Sequence, residues 1–167
     1  MVMRHLASIA VGFALAAALG IGAVWLHAAL FPLPPAEASG GMAAFGDFIL
    51  FVGVFTVAAI FPTIRLLKLL HGSPLFWSAC SVAAVLVTMT GIVAGATYLL
   101  PGLRNQEELA AVLMFAPLRI LGAFPLSIAS ALAGVVAPRK TESKILLGCA
   151  SLEALIFIAA IFRIVVS

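Results

Sequence analysis

Glu153 most needs a chemical account in this chain. It lies about nine residues into an apolar run over 145–166. At about 1.5 Å per residue that is roughly 13 Å along a helix, near the middle of a hydrocarbon core about 30 Å thick. A carboxylate at that depth is costly and is a functional hypothesis by default. Two chemistries fit the position. One is a relay for protons or cations, or a direct ligand contact. The other is a protonated glutamate, kept neutral by desolvation and hydrogen-bonded across a helix interface. Ser127, Ser130, Thr88 and Thr90 are the candidate partners for that second role.

Three further charges accompany it as binding or coupling candidates: Asp47, Arg119 and Arg163. Asp47 follows Gly46 among phenylalanines near the outer end of the second apolar run, where a first-turn acid is favoured by the helix dipole. Arg163 lies in the last turn of the final run, from which its long side chain can extend to the interface. A hairpin turning near Thr141 would bring Arg163 close to Arg119 in depth. Two arginines with Asp47 nearby form an outer mouth suited to an anionic headgroup or substrate.

Other chemistries are disfavoured. His5, His27 and His71 do not lie at matched depth within the apolar runs, so haem ligation is not expected. No Cys/His spacing suits zinc, and no cofactor is expected. Cys80 and Cys149 fall at similar depth on the inner side and read as small reduced hydrophobes. Serine-based hydrolysis needs a base beside the nucleophile, and no histidine lies within a span near Ser127 or Ser130. No catalytic residue is therefore assigned, and an enzyme is not the favoured reading.

Composition dictates the elements that hold these residues. Of 167 residues, 65% are hydrophobic and 9% charged, with a mean hydropathy of +1.28. A soluble domain carries roughly 25% charged residues, so the bilayer must solvate most of this chain. Five stretches meet the requirement of about 20 apolar residues: about 6–31, 42–64, 75–100, 117–137 and 145–166. The second carries a basic, polar-striped extension to Leu70. Breaks fall at Pro32-Leu33-Pro34-Pro35, His71-Gly72-Ser73-Pro74, Pro101-Gly102 and Pro138-Arg139-Lys140, where proline and glycine stop helices. The stretch before Pro117 reads as an interfacial helix over 105–115, with the crossing helix starting at Pro117, where proline suits a first turn; the alternative is one long, tilted helix over 109–137, kinked at its prolines. That division keeps Arg119 out of the bilayer centre. The first apolar run is too long for a signal-peptide core and is expected to remain as a span.

Small residues mark packing faces. Gly91 and Gly95 form a G-x-x-x-G pair on the third span, which lets helices approach closely. Gly12, Ala16, Gly20 and Ala23 line the first.

The Lys/Arg distribution sets orientation. With the N-terminus in the cytoplasm, Arg4, Arg65, Lys68, Arg139, Lys140 and Lys144 fall inside and Arg104, Arg119 and Arg163 outside. Trp25 and Tyr98 then become outer interfacial anchors and Trp77 an inner one. The net charge of +3 is topology signal, and no nucleic-acid partner is implied because no basic run is interleaved with aromatics.

The expectation is an all-α, polytopic integral membrane protein: a single-domain five-helix transmembrane bundle, N-in and C-out, in a bacterial-type inner membrane. Its expected role is a non-enzymatic accessory, scaffold or lipid-associated component. Its expected partners are membrane lipid and other membrane-protein subunits or a second copy. The alternative is a small carrier using Glu153, with Asp47, Arg119 and Arg163 near the outer mouth.

Overall fold

The structure is a computed structural model that describes residues 2–32, 40–99 and 110–166. Among the described residues it is all-helical: α1 (Val2–Leu30), α2 (Gly40–Ala58), α3 (Ile60–Leu69), α4 (Pro74–Leu99), α5 (Ala110–Val136) and α6 (Lys140–Val166). Among the described residues four segments are long and apolar enough to cross a membrane: Met3–Leu30, Pro74–Leu99, Phe115–Val136 and Lys140–Arg163. A fifth exists only if the bent pair α2–α3 is taken as one span.

That bend corrects the second expected span, which the composition alone presented as continuous. The two arms meet at 48°. Pro62 explains the break, because it has no N–H to offer the carbonyl of Ala58 and its ring crowds that carbonyl. On either side of it the ladder is intact: the Ala59 amide donates to Phe55 (2.8 Å) and that of Thr63 to Ala59 (3.0 Å).

The fourth expected span is corrected as well. Residues 110–136 form one helix with Pro117 and Pro125 inside it. The expected junction between an interfacial helix and a crossing helix at Pro117 is absent, and residues 105–109 lie outside the described residues. Prolines are tolerated inside membrane helices because neighbouring groups re-satisfy the freed carbonyls.

The chain divides into two compact units, Met1–Leu66 and Leu67–Ser167. In the first unit α1 runs antiparallel to the α2–α3 arm, and two of its glycines, Gly12 and Gly20, are notches for bulk on that arm. A Cβ on Gly20 would lie 2.7 Å from the Phe51 ring, and one on Gly12 would lie 2.9 Å from Pro62. Arg65 then donates to Ser8 Oγ (2.9 Å) and covers the Phe61 ring at 4.5 Å.

In the second unit α4, α5 and α6 pack pairwise. Its buried core gathers Leu67, Trp77, Ala133 and Leu146. Trp77 is fully buried and its Nε1–H donates to the Leu70 carbonyl (3.2 Å), so it is a core residue where an interfacial anchor was expected. Ser73 starts α4, with its hydroxyl accepting from the Phe76 amide (3.4 Å) and Pro74 filling the first helical position. The α5–α6 turn falls at Ala137–Arg139, somewhat before the expected Thr141. Gly134 provides the close approach there, since a Cβ on it would meet Leu147 Cγ at 2.8 Å.

Candidate functional site

Two functional candidates of the second unit, Arg119 and Glu153, meet in a buried ion pair between α5 and α6, where Arg119 makes four hydrogen bonds. Arg119 Nη1 donates to Glu153 Oε2 (3.0 Å), and Nη2 donates to the other oxygen, Oε1. The pair is therefore bidentate, the arrangement in which guanidinium and carboxylate bind most strongly. The remaining two bonds reach α4: Nη2 donates to the Val87 carbonyl (2.7 Å) and Nε to Thr90 Oγ1 (2.9 Å). Thr90 is oriented for this by its own hydroxyl, which donates to Val87 (2.6 Å). Three helices are tied at one point by two charged side chains.

Burial makes the arrangement consequential. Glu153 is 1% exposed, and the Arg119 side chain is 17% exposed. Separately, either charge would be expensive at this depth. Together they cancel in net charge, and four of the five guanidinium N–H groups have partners among the described residues.

Room for the pair comes from Gly91. A Cβ there would lie 2.6 Å from Arg119 Nη2 and 3.2 Å from Glu153 Oε1. Gly95, one turn on, takes Ile156 of α6, whose Cγ2 would be 3.2 Å from an added Cβ. The G-x-x-x-G face of α4 thus serves packing inside the second unit, with one glycine admitting an ion pair and the other an isoleucine.

The geometry revises the sequence expectations for Glu153 and Arg119. Glu153 bonds to neither serine of α5; Ser127 donates to Phe124 of its own helix (2.8 Å). Thr90 enters through Arg119. Arg119 is paired with Glu153. Arg163 donates to the Tyr98 carbonyl and its guanidinium lies 5.6 Å from the Tyr98 ring centre. Asp47, in the first unit, faces His27 at 3.9 Å, with both side chains substantially exposed. The three charges placed together at a mouth thus each have a partner of their own.

Beside the pair lies a one-sided cavity of about 600 Å³ between α4 and α5. Met89, Val93, Ala94, Phe115 and Ala116 form its walls with the carbon atoms of Thr90 and Arg119, and its surface is almost wholly apolar. The sequence offers no direct sign of this cavity. Among the described residues no group of three or more His, Cys, Asp or Glu is placed to hold a metal ion. Cys80 and Cys149 are free thiols.

Comparison of the chain with protein-family models, with curated proteins and with solved structures returns no match.

Proposed function

We propose that this membrane protein is a non-enzymatic accessory or scaffold component, associated with lipid, of a bacterial-type inner membrane. We place its N-terminus in the cytoplasm and its C-terminus outside, on the strength of the six-to-three Lys/Arg division. Membrane lipid is its first partner, facing the exposed apolar flanks of its helices. Another membrane-protein subunit or a second copy is the second.

The closure of the Arg119–Glu153 pair carries this reading. A relay carboxylate must be reachable and must have somewhere to pass its proton. Glu153 is 1% exposed, and both its oxygens are held by one guanidinium. A group so held joins helices. Buried ion pairs are poor sources of net stability but can select one arrangement among several. Choosing the register of α4, α5 and α6 is the role assigned to it here.

A second reading, a carrier, has one observation in its favour: the cavity adjoins Arg119, so a ligand entering it could compete for the guanidinium and free Glu153. The double variant Arg119→Met/Glu153→Leu separates the two. It removes both charges while keeping apolar bulk. As a scaffold, the folded double variant restores the phenotype of a deletion strain. As a carrier, it folds, reaches the membrane and fails to restore it, and that outcome would refute the accessory reading.

A further inference from the structure

We infer that the end of the second unit where α4 and α6 begin holds the headgroup of an anionic phospholipid, through Lys68, Arg139, Lys140 and Lys144. The inference rests on the lipid-associated reading above and names the class of lipid and its place. In sequence these cations fall into two groups about 70 residues apart. The fold joins them. His71 Nδ1, three residues after Lys68, lies 3.1 Å from the carbonyl oxygen of Val136, three residues before Arg139. Next to that contact Leu67, Trp77, Ala133 and Leu146 share one core. The α3–α4 turn and the α5–α6 turn therefore form a single face. All four cations on it are exposed. A cluster of about four to eight Lys/Arg beside membrane helices is enough to attract anionic lipid.

Charge decides the headgroup. The described acids of the second unit are Glu142 and Glu153. Glu153 is closed in its pair with Arg119. Glu142 is 7% exposed, and its Oε1 lies 3.7 Å from Arg139 Nη1. Among the described residues this face thus offers no exposed carboxylate to an ammonium group. A zwitterionic headgroup would bring its amine among like charges. A phosphodiester without an amine meets cations alone, and its oxygens accept from Lys and Arg, which are donors only.

Hydrocarbon decides between a lipid and an acidic protein. Lys140 and Lys144 begin an outward stripe on α6 that continues at three- and four-residue steps through Gly148, Ser151, Leu155 and Ile158, all exposed. Leu155 and Ile158 are 62% and 61% exposed. From Lys144 to Leu155 the helix rises about 16 Å, close to half of a core about 30 Å thick. A phosphate held at Lys140 and Lys144 therefore lays an acyl chain along α6 within one leaflet. On α4 and α5, Leu75 and Val135 near the same face are 81% and 77% exposed. An acyl chain covers such surface; a hydrophilic acidic partner would leave it bare.

The test uses the full chain in phosphatidylcholine nanodiscs carrying a trace of spin-labelled phosphatidylglycerol or of spin-labelled phosphatidylcholine. It reads the fraction of each label immobilised at the protein. Phosphatidylglycerol should be enriched about threefold or more over phosphatidylcholine. Lys68→Gln/Lys140→Gln/Lys144→Gln leaves Arg139 to Glu142, so the enrichment should fall by about half or more with an unchanged melting temperature. Arginine at the same three positions should keep the enrichment. Equal association of the two lipids with the unsubstituted chain, or full enrichment in the glutamine variant, would each overturn the inference. A chain that captures soluble polyglutamate and shows no lipid preference has a protein-docking face there, and that result overturns it too. Equal lipid association alongside complementation by Arg119→Met/Glu153→Leu removes this site and leaves the accessory reading standing.

Discussion

Gly91 and Arg119 claim the same volume. A Cβ on Gly91 would lie 2.6 Å from Arg119 Nη2, closer than real Cβ contacts come, and 3.1 Å from its Cζ, tighter than most. A long side chain could ordinarily swing away. This one is held by four hydrogen bonds to three residues, two of them on α4 itself.

Gly91→Ala should therefore destabilise the protein although alanine is the better helix former. Overpacking of this kind costs about 1–3 kcal/mol. Gly22→Ala is the matched control, since nothing lies within 4 Å of its added Cβ; there the lower helix propensity of glycine predicts a neutral or stabilising change of up to about 1 kcal/mol. Reversible unfolding in mixed detergent measures both. Equal stability of the two variants would show that Gly91 is not the notch for the pair.

Removing one member of the ion pair should be far worse than removing both. Arg119→Met or Glu153→Leu leaves a buried charge without its counterion, at a cost of about 3–5 kcal/mol. Glu153→Gln belongs with them, because it keeps the shape but strips the charge that balances the guanidinium. The double variant should recover most of that loss. A double-mutant cycle reads the coupling directly, and additive single effects would contradict a structural pair.

Pro62→Ala should straighten the arm made by α2 and α3. It restores the amide that can reach Ala58 and removes the ring that crowds it. Paired spin labels at Phe48 and Leu69, both exposed, should report a longer distance than in the unsubstituted chain. An unchanged distance would mean that packing around Gly12 imposes the 48° bend and that Pro62 only accommodates it.

Sidedness is checked by single cysteines at exposed ends, introduced after Cys80 and Cys149 are replaced by alanine. The expected topology leaves His71→Cys unlabelled by an impermeant maleimide added outside intact cells, and labels Phe31→Cys. Labelling of both positions, or the reverse pattern, would sink the N-in assignment.

Arg119 shows where reading the chain in one dimension fails. Treated alone, an arginine in the bilayer core costs about 2.5–3.5 kcal/mol, which favours an interfacial Arg119 and a helix boundary at Pro117. Once Glu153 lies within hydrogen-bonding distance that penalty no longer applies to an isolated charge, and α5 continues through the proline. Trp77 fails in the same way. Its type suggests an interfacial anchor, but Leu67, Ala133 and Leu146 close over it.

The amino-acid sequence by itself determined the helical class, the need for a bilayer and the chain breaks around Gly72 and Pro138. Those properties depend on local composition and on backbone groups that must be satisfied within each segment. It also singled out Glu153 and the Gly91/Gly95 face, because a carboxylate in an apolar run and small residues at four-residue spacing are visible without neighbours. Only the tertiary structure decided that Glu153 meets Arg119, 34 residues away, that Gly91 is the gap admitting them, and that a cavity opens beside the pair. Side-chain partners between helices depend on rotation and register, and in hydrocarbon many registers bury apolar surface equally well. The pairing of two opposite charges singles one out.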